Sequence, residues 1–199
     1  SLTWSVDGVI NEYCQPCEAI VDGKPCSRPP LEEREELWLD GIRYEAFNTS
    51  GGLGTLCESL AGKVRTLNYR SIRYPGHRDI MRTLLQDLRL GERRELLRDI
   101  LVKALPATEQ DVVVIFVAVS GWKDGAFVEE TYANRIHGGT QKGKARTAIQ
   151  TTTASAACAV LDLLRDGAIP GRGFLRQEEI PLSKFLGTRF GAVFASHPA

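Results

Sequence analysis

Residues 69–79 read YRSIRYPGHRD, so arginines, tyrosines and a histidine crowd a strand end and the turn after it. An arginine on a rigid strand grips a carboxylate through two parallel hydrogen bonds, and a tyrosine hydroxyl completes such a pocket. Solvated surface arginines are the plainer reading of the same residues. Upstream, NTSGGLGTL at residues 48–56 sets hydroxyl and amide donors and glycines before an apolar helical pattern. Free N–H groups at a helix start suit a carboxylate or phosphate. Plain capping by Thr49 or Ser50 explains the stretch equally well, and without G-x-G-x-x-G it is no dinucleotide fingerprint.

Two further stretches carry weaker chemistry. In GGTQKGKA, Gly138, Gly143 and Lys144 satisfy most of a phosphate-binding P-loop. Ala145 stands where such a loop needs a hydroxyl for magnesium, and the apolar strand VVVIFVAVSG ends without the required acid, so a basic, glycine-containing connection is the better account. Cys14 and Cys17 form a C-x-x-C pair with Cys26 close behind, but a structural zinc wants four ligands, and His77, His137 and His197 lie apart from it. A redox pair wants its first cysteine at a helix N-terminus, whereas here the pair ends a helical pattern at Pro16. Cys57 and Cys158 fall in helical patterns as small buried hydrophobes. Neither a metal site nor a complete catalytic set is visible, and the catalytic residues stay unassigned.

The elements that must position these residues follow from periodicity. Ser5 or Asp7 caps a helix through Val9, Ile10 and Tyr13. CEAIVDGKP reads as a strand running into an Asp-Gly turn, PCSRPP as a loop, and EELWLDGIRYEAF as a hairpin around Asp40-Gly41. A short helix follows the NTSGG loop, and KVRTLNYRSIRYPG alternates with period two as one strand. HRDIMRTLLQDLRLG and GERRELLRDILVKALP carry leucines at helical spacing and divide at Gly91. DVVVIFVAVSGW, the most apolar run, reads as a central strand covered on both faces, with AFVEETYANRIHG as its antiparallel partner. A long helix is expected from about Ala145 to Arg165, then a short strand and a helix to the end. Irregular alternation with several hairpins predicts an α+β fold, a mixed β-sheet with helices on one face.

Composition bounds the partners. The chain has 199 residues, 43% of them hydrophobic, and Lys+Arg and Asp+Glu number 25 each. That suffices for one real core, expected as a single domain over residues 1–199. A formal charge of zero argues against nucleic acid, and no apolar run is long enough to span a bilayer, so the expectation is a cytoplasmic protein with no nucleic-acid or membrane partner.

Three stretches together carry a resemblance: WSVDGVINEYCQPCEAIVDGK, YEAFNTSGGLGTLCESLAGKVRTLNYRSIRYPGH and the terminal GFLRQEEIPLSKFLGTRFG. They resemble the C-terminal catalytic domain of the saccharopine dehydrogenase family, especially its lysine 6-dehydrogenase-like branch. The middle block is the most specific, because its Asn-Thr-Ser-Gly-Gly element, helix, strand and Arg-Tyr-Pro-Gly turn come in the family's order. The resemblance implies a fold like the C-terminal domain of glyceraldehyde-3-phosphate dehydrogenase. It also implies that Cys14 needs no partner, since related sequences vary there.

By that resemblance the chain is the substrate-binding and dimerisation domain of an NAD(P)-dependent oxidoreductase acting on the C–N bond of lysine, saccharopine or a related amine. NAD or NADP is expected on an N-terminal Rossmann domain outside these residues, with no cofactor on the chain itself, which is then expected to be inactive alone. Ser1 is expected to mark a boundary within a larger protein, and residues 172–199 to pack back on that domain. A homodimer and a small amino-acid or amine substrate are the implied partners. Asn48, Thr49 and Ser50 are expected to line the substrate pocket, with Arg73 and Tyr74 gripping a carboxylate. Glu12 and Tyr13, from the motif INEY, are expected in the same cleft, and His77 to orient the turn or the substrate. The rival reading is a non-catalytic small-molecule-binding or dimerisation module of the same fold.

Overall fold

Residues 3–141 and 143–195 are described in the computed structural model. They divide into two compact units that part between Ala107 and Thr108.

The first unit opens with helix α1 (Val6–Cys14), whose N-cap Ser5 accepts a hydrogen bond from the Gly8 N–H at 3.1 Å. Its spacing turns Val6, Ile10 and Tyr13 inward, and Pro16 follows the last turn. Strands β1 (Cys17–Val21) and β2 (Lys24–Arg28) form a hairpin, and β3 (Glu35–Leu39) and β4 (Ile42–Asn48) form a second. Asp22-Gly23 and Asp40-Gly41 have φ of 48° and 78°, and 50° and 75°. Two consecutive positive φ values define the tight hairpin turn that Asp-Gly favours. Helix α2 (Leu56–Leu60) then leads to β5 (Thr66–Leu67) and β6 (Arg70–Arg73). The two sheets run in the orders β2-β1-β5 and β3-β4-β6, with every pairing antiparallel.

Helix α3 (His77–Arg82) widens into a single π turn at Thr83–Asp87, and α4 (Arg94–Ala104) closes the unit. Tyr13, Phe47, Met81, Leu85, Leu97 and Leu101 share one core, and β4 is buried at every residue from Tyr44 to Asn48. The middle strand of its sheet is therefore held on both edges and covered on both faces.

The second unit is led by a long ribbon of β7 (Val112–Lys123) and β8 (Ala126–His137). A small hairpin of β9 (Gly139–Gln141) and β10 (Lys144–Arg146) follows, then α5 (Ala148–Arg165) and α6 (Leu182–Leu186). Thr147 and Gln150 form a reciprocal cap at the start of α5, and the Asp111 carboxylate adds acceptors for the Ala148 and Ile149 N–H groups. No helix among the described residues is long and apolar enough to cross a membrane.

The architecture is α+β. The expected hairpins and helices form, but the strands gather into small antiparallel sheets where one mixed sheet was expected. KPCSR pairs as edge strand β2, where a loop was expected; Pro25 is tolerated there because an edge strand need not use every N–H. The stretch expected as one strand splits at Asn68-Tyr69, sending β5 and β6 to different sheets. Helix α5 begins at Ala148, because Lys144–Arg146 is used by a hairpin. No strand forms near residues 172–176. The most apolar strand is not central: β7 has β8 as its sheet partner, and Val119, Trp122 and Phe127 are 64%, 78% and 61% exposed. An apolar run shows that a strand can be buried and does not say how many neighbours it has.

Candidate functional site

Arg73 ends β6, where pairing of its backbone with Glu45 of β4 fixes its position. Four residues on, His77 opens α3. Between them the YPG turn redirects the chain, and the His77 N–H bonds the Tyr74 carbonyl at 3.3 Å. Tyr13, 1% exposed on the last turn of α1, reaches both side chains. Arg73 Nε donates to Tyr13 Oη at 3.0 Å, and Oη lies 3.0 Å from His77 Nε2. Arginine can only donate, so the Tyr13 oxygen accepts from Arg73. Among the described residues its own proton has one acceptor, His77 Nε2, which leaves the imidazole proton on Nδ1.

The electrostatics agree with this directional chain. Burial, aided by the Arg73 charge, pushes His77 down from its ordinary 6.5 to about 4, so it is a neutral acceptor at physiological pH. Burial raises the Tyr13 phenol against the opposing pull of Arg73, so it keeps its proton. Burial likewise raises the Glu12 carboxyl, again opposed by Arg73. Arg73 Nη1 donates to its neighbour's carbonyl, Ile72 O, at 3.0 Å. No carboxylate of a described residue pairs with its guanidinium.

Glu45 builds the floor. It is 0% exposed, accepts from the Arg78 N–H at 2.7 Å through Oε1, and accepts from Arg34 Nη1 at 3.4 Å through Oε2. Arg78 Nε donates to the Leu31 carbonyl at 2.6 Å. The buried carboxylate thus ties the start of α3 to β4 and holds His77 in place.

The sequence matches the saccharopine dehydrogenase C-terminal domain over residues 1–190. The chain belongs to that family. It is a family of dehydrogenase type, and the match runs through both units.

Within this saccharopine dehydrogenase C-terminal domain the expected site residues fall into two groups. Arg73 and His77 come together on the Tyr13 hydroxyl, while Glu12, next to Tyr13 in the chain, feels the Arg73 charge without a hydrogen bond to the group. Tyr74 faces elsewhere on the turn, 60% exposed and stacked on Tyr44 with ring centroids 5.4 Å apart. Asn48 and Thr49 are 3% and 2% exposed and their side chains are engaged: the Asn48 amide donates to Pro29 O at 3.4 Å, and Thr49 Oγ1 lies 2.8 Å from Ser71 Oγ. The loop meets α1 through its backbone, the Ser50 N–H donating to Glu12 O at 3.0 Å.

Sequence reasoning had Tyr69 in the candidate stretch 69–79 without giving it a role, and left Glu45 out of the site. A Cβ on Gly52 would stand 2.3 Å from the Tyr69 ring, so that glycine admits the ring against the NTSGG loop. The paired glycines were the available signal for it. A glutamate in a strand gave none for Glu45.

The other motifs of the domain carry no comparable geometry. Burial, with a smaller push from Glu33, raises the Cys17 thiol to about 11, and burial raises Cys14 too, opposite to the depressed pKa of a reactive pair. Among the described residues no three His, Cys, Asp or Glu side chains gather as metal ligands. The P-loop-like stretch folds into the β9–β10 hairpin, in place of a strand-to-helix cradle, and its Lys142 lies outside the described residues.

Proposed function

We propose that this domain binds the substrate of an NAD(P)-dependent oxidoreductase acting on the C–N bond of lysine, saccharopine or a related amine. The half-buried Arg73 guanidinium carries this reading. Tyr13 and the Ile72 carbonyl hold it in one orientation, and no carboxylate of a described residue neutralises it. A substrate carboxylate supplies that charge, without Tyr74, whose ring stacks on Tyr44. Hydride then passes to NAD or NADP held outside these residues, where a G-x-G-x-x-G element belongs.

Replacing Arg73 removes a charge-assisted contact that both ground and transition states use. Arg73→Ala therefore raises KM for the amino acid by roughly tenfold or more in a cofactor-reduction assay of the enzyme bearing this domain. An unchanged KM and turnover would falsify the carboxylate role.

Self-association is the second part of the proposal. A two-stranded ribbon alone is marginal in water, and β7–β8 exposes Phe116, Val117, Val119, Trp122 and Phe127. That apolar surface supports the homodimer reading, which light scattering on the purified protein checks directly.

A further inference from the structure

We infer that a groove along α5 binds a small amphiphilic anion, its charged group held at Arg146 and its apolar body laid against Phe190 and Val193. Every residue of the groove lies in the second unit, so the inference stands apart from the substrate reading, which rests on Tyr13 and Arg73.

The groove has a volume of about 550 Å³, within the range of small-molecule sites. Its floor is one face of α5, where Thr151, Ala154, Ser155 and Cys158 recur at helical spacing and their small side chains leave the space. Phe190 and Val193 form the apolar wall. The turn that carries them is fixed: the Tyr132 hydroxyl donates to the Phe194 carbonyl at 2.5 Å, and the Arg189 guanidinium lies 4.6 Å from the Phe190 ring centroid.

Ser155 shows that the floor awaits a partner. The buried polar side chains of α5 and its cap are Thr147, Thr152, Ser155 and Asp162. Thr147 Oγ1 accepts from the Gln150 N–H, Thr152 Oγ1 donates to the Ala148 carbonyl, and Asp162 accepts from Arg189. Ser155, only 7% exposed, lines the groove with no hydrogen-bond partner among the described residues. A buried hydroxyl left unpaired is costly, and a ligand atom relieves that cost.

The polar groups around Ser155 are donors in search of an acceptor. Gln150 Oε1 accepts from the Thr147 N–H at 3.2 Å, which leaves the side-chain NH2 free to donate. Arg146, exposed at the end of β10, makes no hydrogen bond or ion pair with a described residue. Arg189 differs, because Asp162 neutralises it through contacts of 2.8 and 3.2 Å. No acidic side chain of a described residue lines the groove, and Asp111 at the start of α5 spends its carboxylate on the Ala148 and Ile149 N–H groups. Unpaired donors without a countercharge favour an anion, and the guanidinium fork suits a carboxylate or a phosphate. The Phe190 and Val193 wall then selects an anion with an apolar body.

The test titrates the full chain calorimetrically with 4-phenylbutyrate, phenyl phosphate and the neutral 4-phenylbutyramide, and follows alkylation of Cys158 by N-ethylmaleimide with peptide mass spectrometry. At least one anion binds, the amide binds roughly tenfold or more weakly than the better anion, and the tighter of the two names the charged group. The bound anion slows alkylation of Cys158, while Cys14 and Cys26 of the first unit react as before. Arg146→Ala weakens the anion by roughly tenfold or more, and Ser155→Ala weakens it by roughly threefold without lowering the thermal transition of the free protein. Arg73→Ala changes none of these results, so the groove and the substrate reading fail separately. The groove is overturned if neither anion binds, if the amide binds as well as the anions, if Cys158 stays unprotected, or if Arg146→Ala or Ser155→Ala binds as tightly as the wild type. Loss of anion binding in Arg73→Ala would place the ligand at the substrate site and overturn it as well.

Discussion

The two units use their residues in opposite ways. In the first, polar groups are sunk into a packed core: Glu45 at 0% exposure and Tyr13 at 1% are hydrogen-bonded beside Phe47 and Leu97, each at 0%. In the second, apolar groups are left on the surface of a ribbon, with Trp122 78% and Phe127 61% exposed. Buried polar groups need partners in fixed geometry, so the first unit is locally rigid around Tyr13. An exposed apolar ribbon needs only area to cover it. Geometry specific enough for recognition and surface suited to association are thus separated along the chain.

The contrast breaks most easily at a core ring. Phe47→Ala removes a fully buried side chain that packs on Tyr13 and His77 with centroid distances of 5.7 and 6.3 Å. It should cost about 3–5 kcal/mol in urea denaturation. A cost below about 1 kcal/mol would mean that the first unit is no better packed than the ribbon.

His77 gives the next effect, through pH. Its folded value near 4 lies below the ordinary 6.5, so between those values the unfolded chain binds more protons. Stability is full above about 6.5, falls as pH drops towards 4, and levels off below that. The loss is on the order of 3 kcal/mol, and His77→Gln should flatten this part of the profile. A wild-type profile flat across that window would show that His77 is not buried in neutral form.

Gly52→Ala drives a methyl group into the Tyr69 ring and should cost about 1–2 kcal/mol. Combined with Tyr69→Ala, most of that penalty should vanish, because the clash is then gone. Additive losses would remove Tyr69 from the wall of the site. The smallest effect belongs to the ribbon: Phe127→Ala should change monomer stability by no more than about 0.5 kcal/mol. A loss as large as that of Phe47→Ala would erase the contrast between the units.

Much of the local structure was legible. Ser5 and Pro16 bracket α1, and each Asp-Gly pair makes its hairpin, because caps and turns are decided by a few adjacent residues. Arg73 and His77 were legible as site candidates because one turn carries both. The break at Asn68-Tyr69 was not, since the alternation continues through it while the backbone changes sheets. The surroundings of β7 were hidden for a similar reason: apolar side chains record a preference for burial without naming what buries them.

By itself the sequence determined the α+β class, the hairpins and helices, and the short segments bearing Glu12, Arg73 and His77. Only the tertiary structure decided that Tyr13 would bind Arg73, 60 positions away, and His77, 64 positions away. Local preferences act within a turn or a few residues. A contact across that separation exists only once α1, β6 and α3 have packed on a common core, and side-chain direction there is set by burial and hydrogen-bond closure.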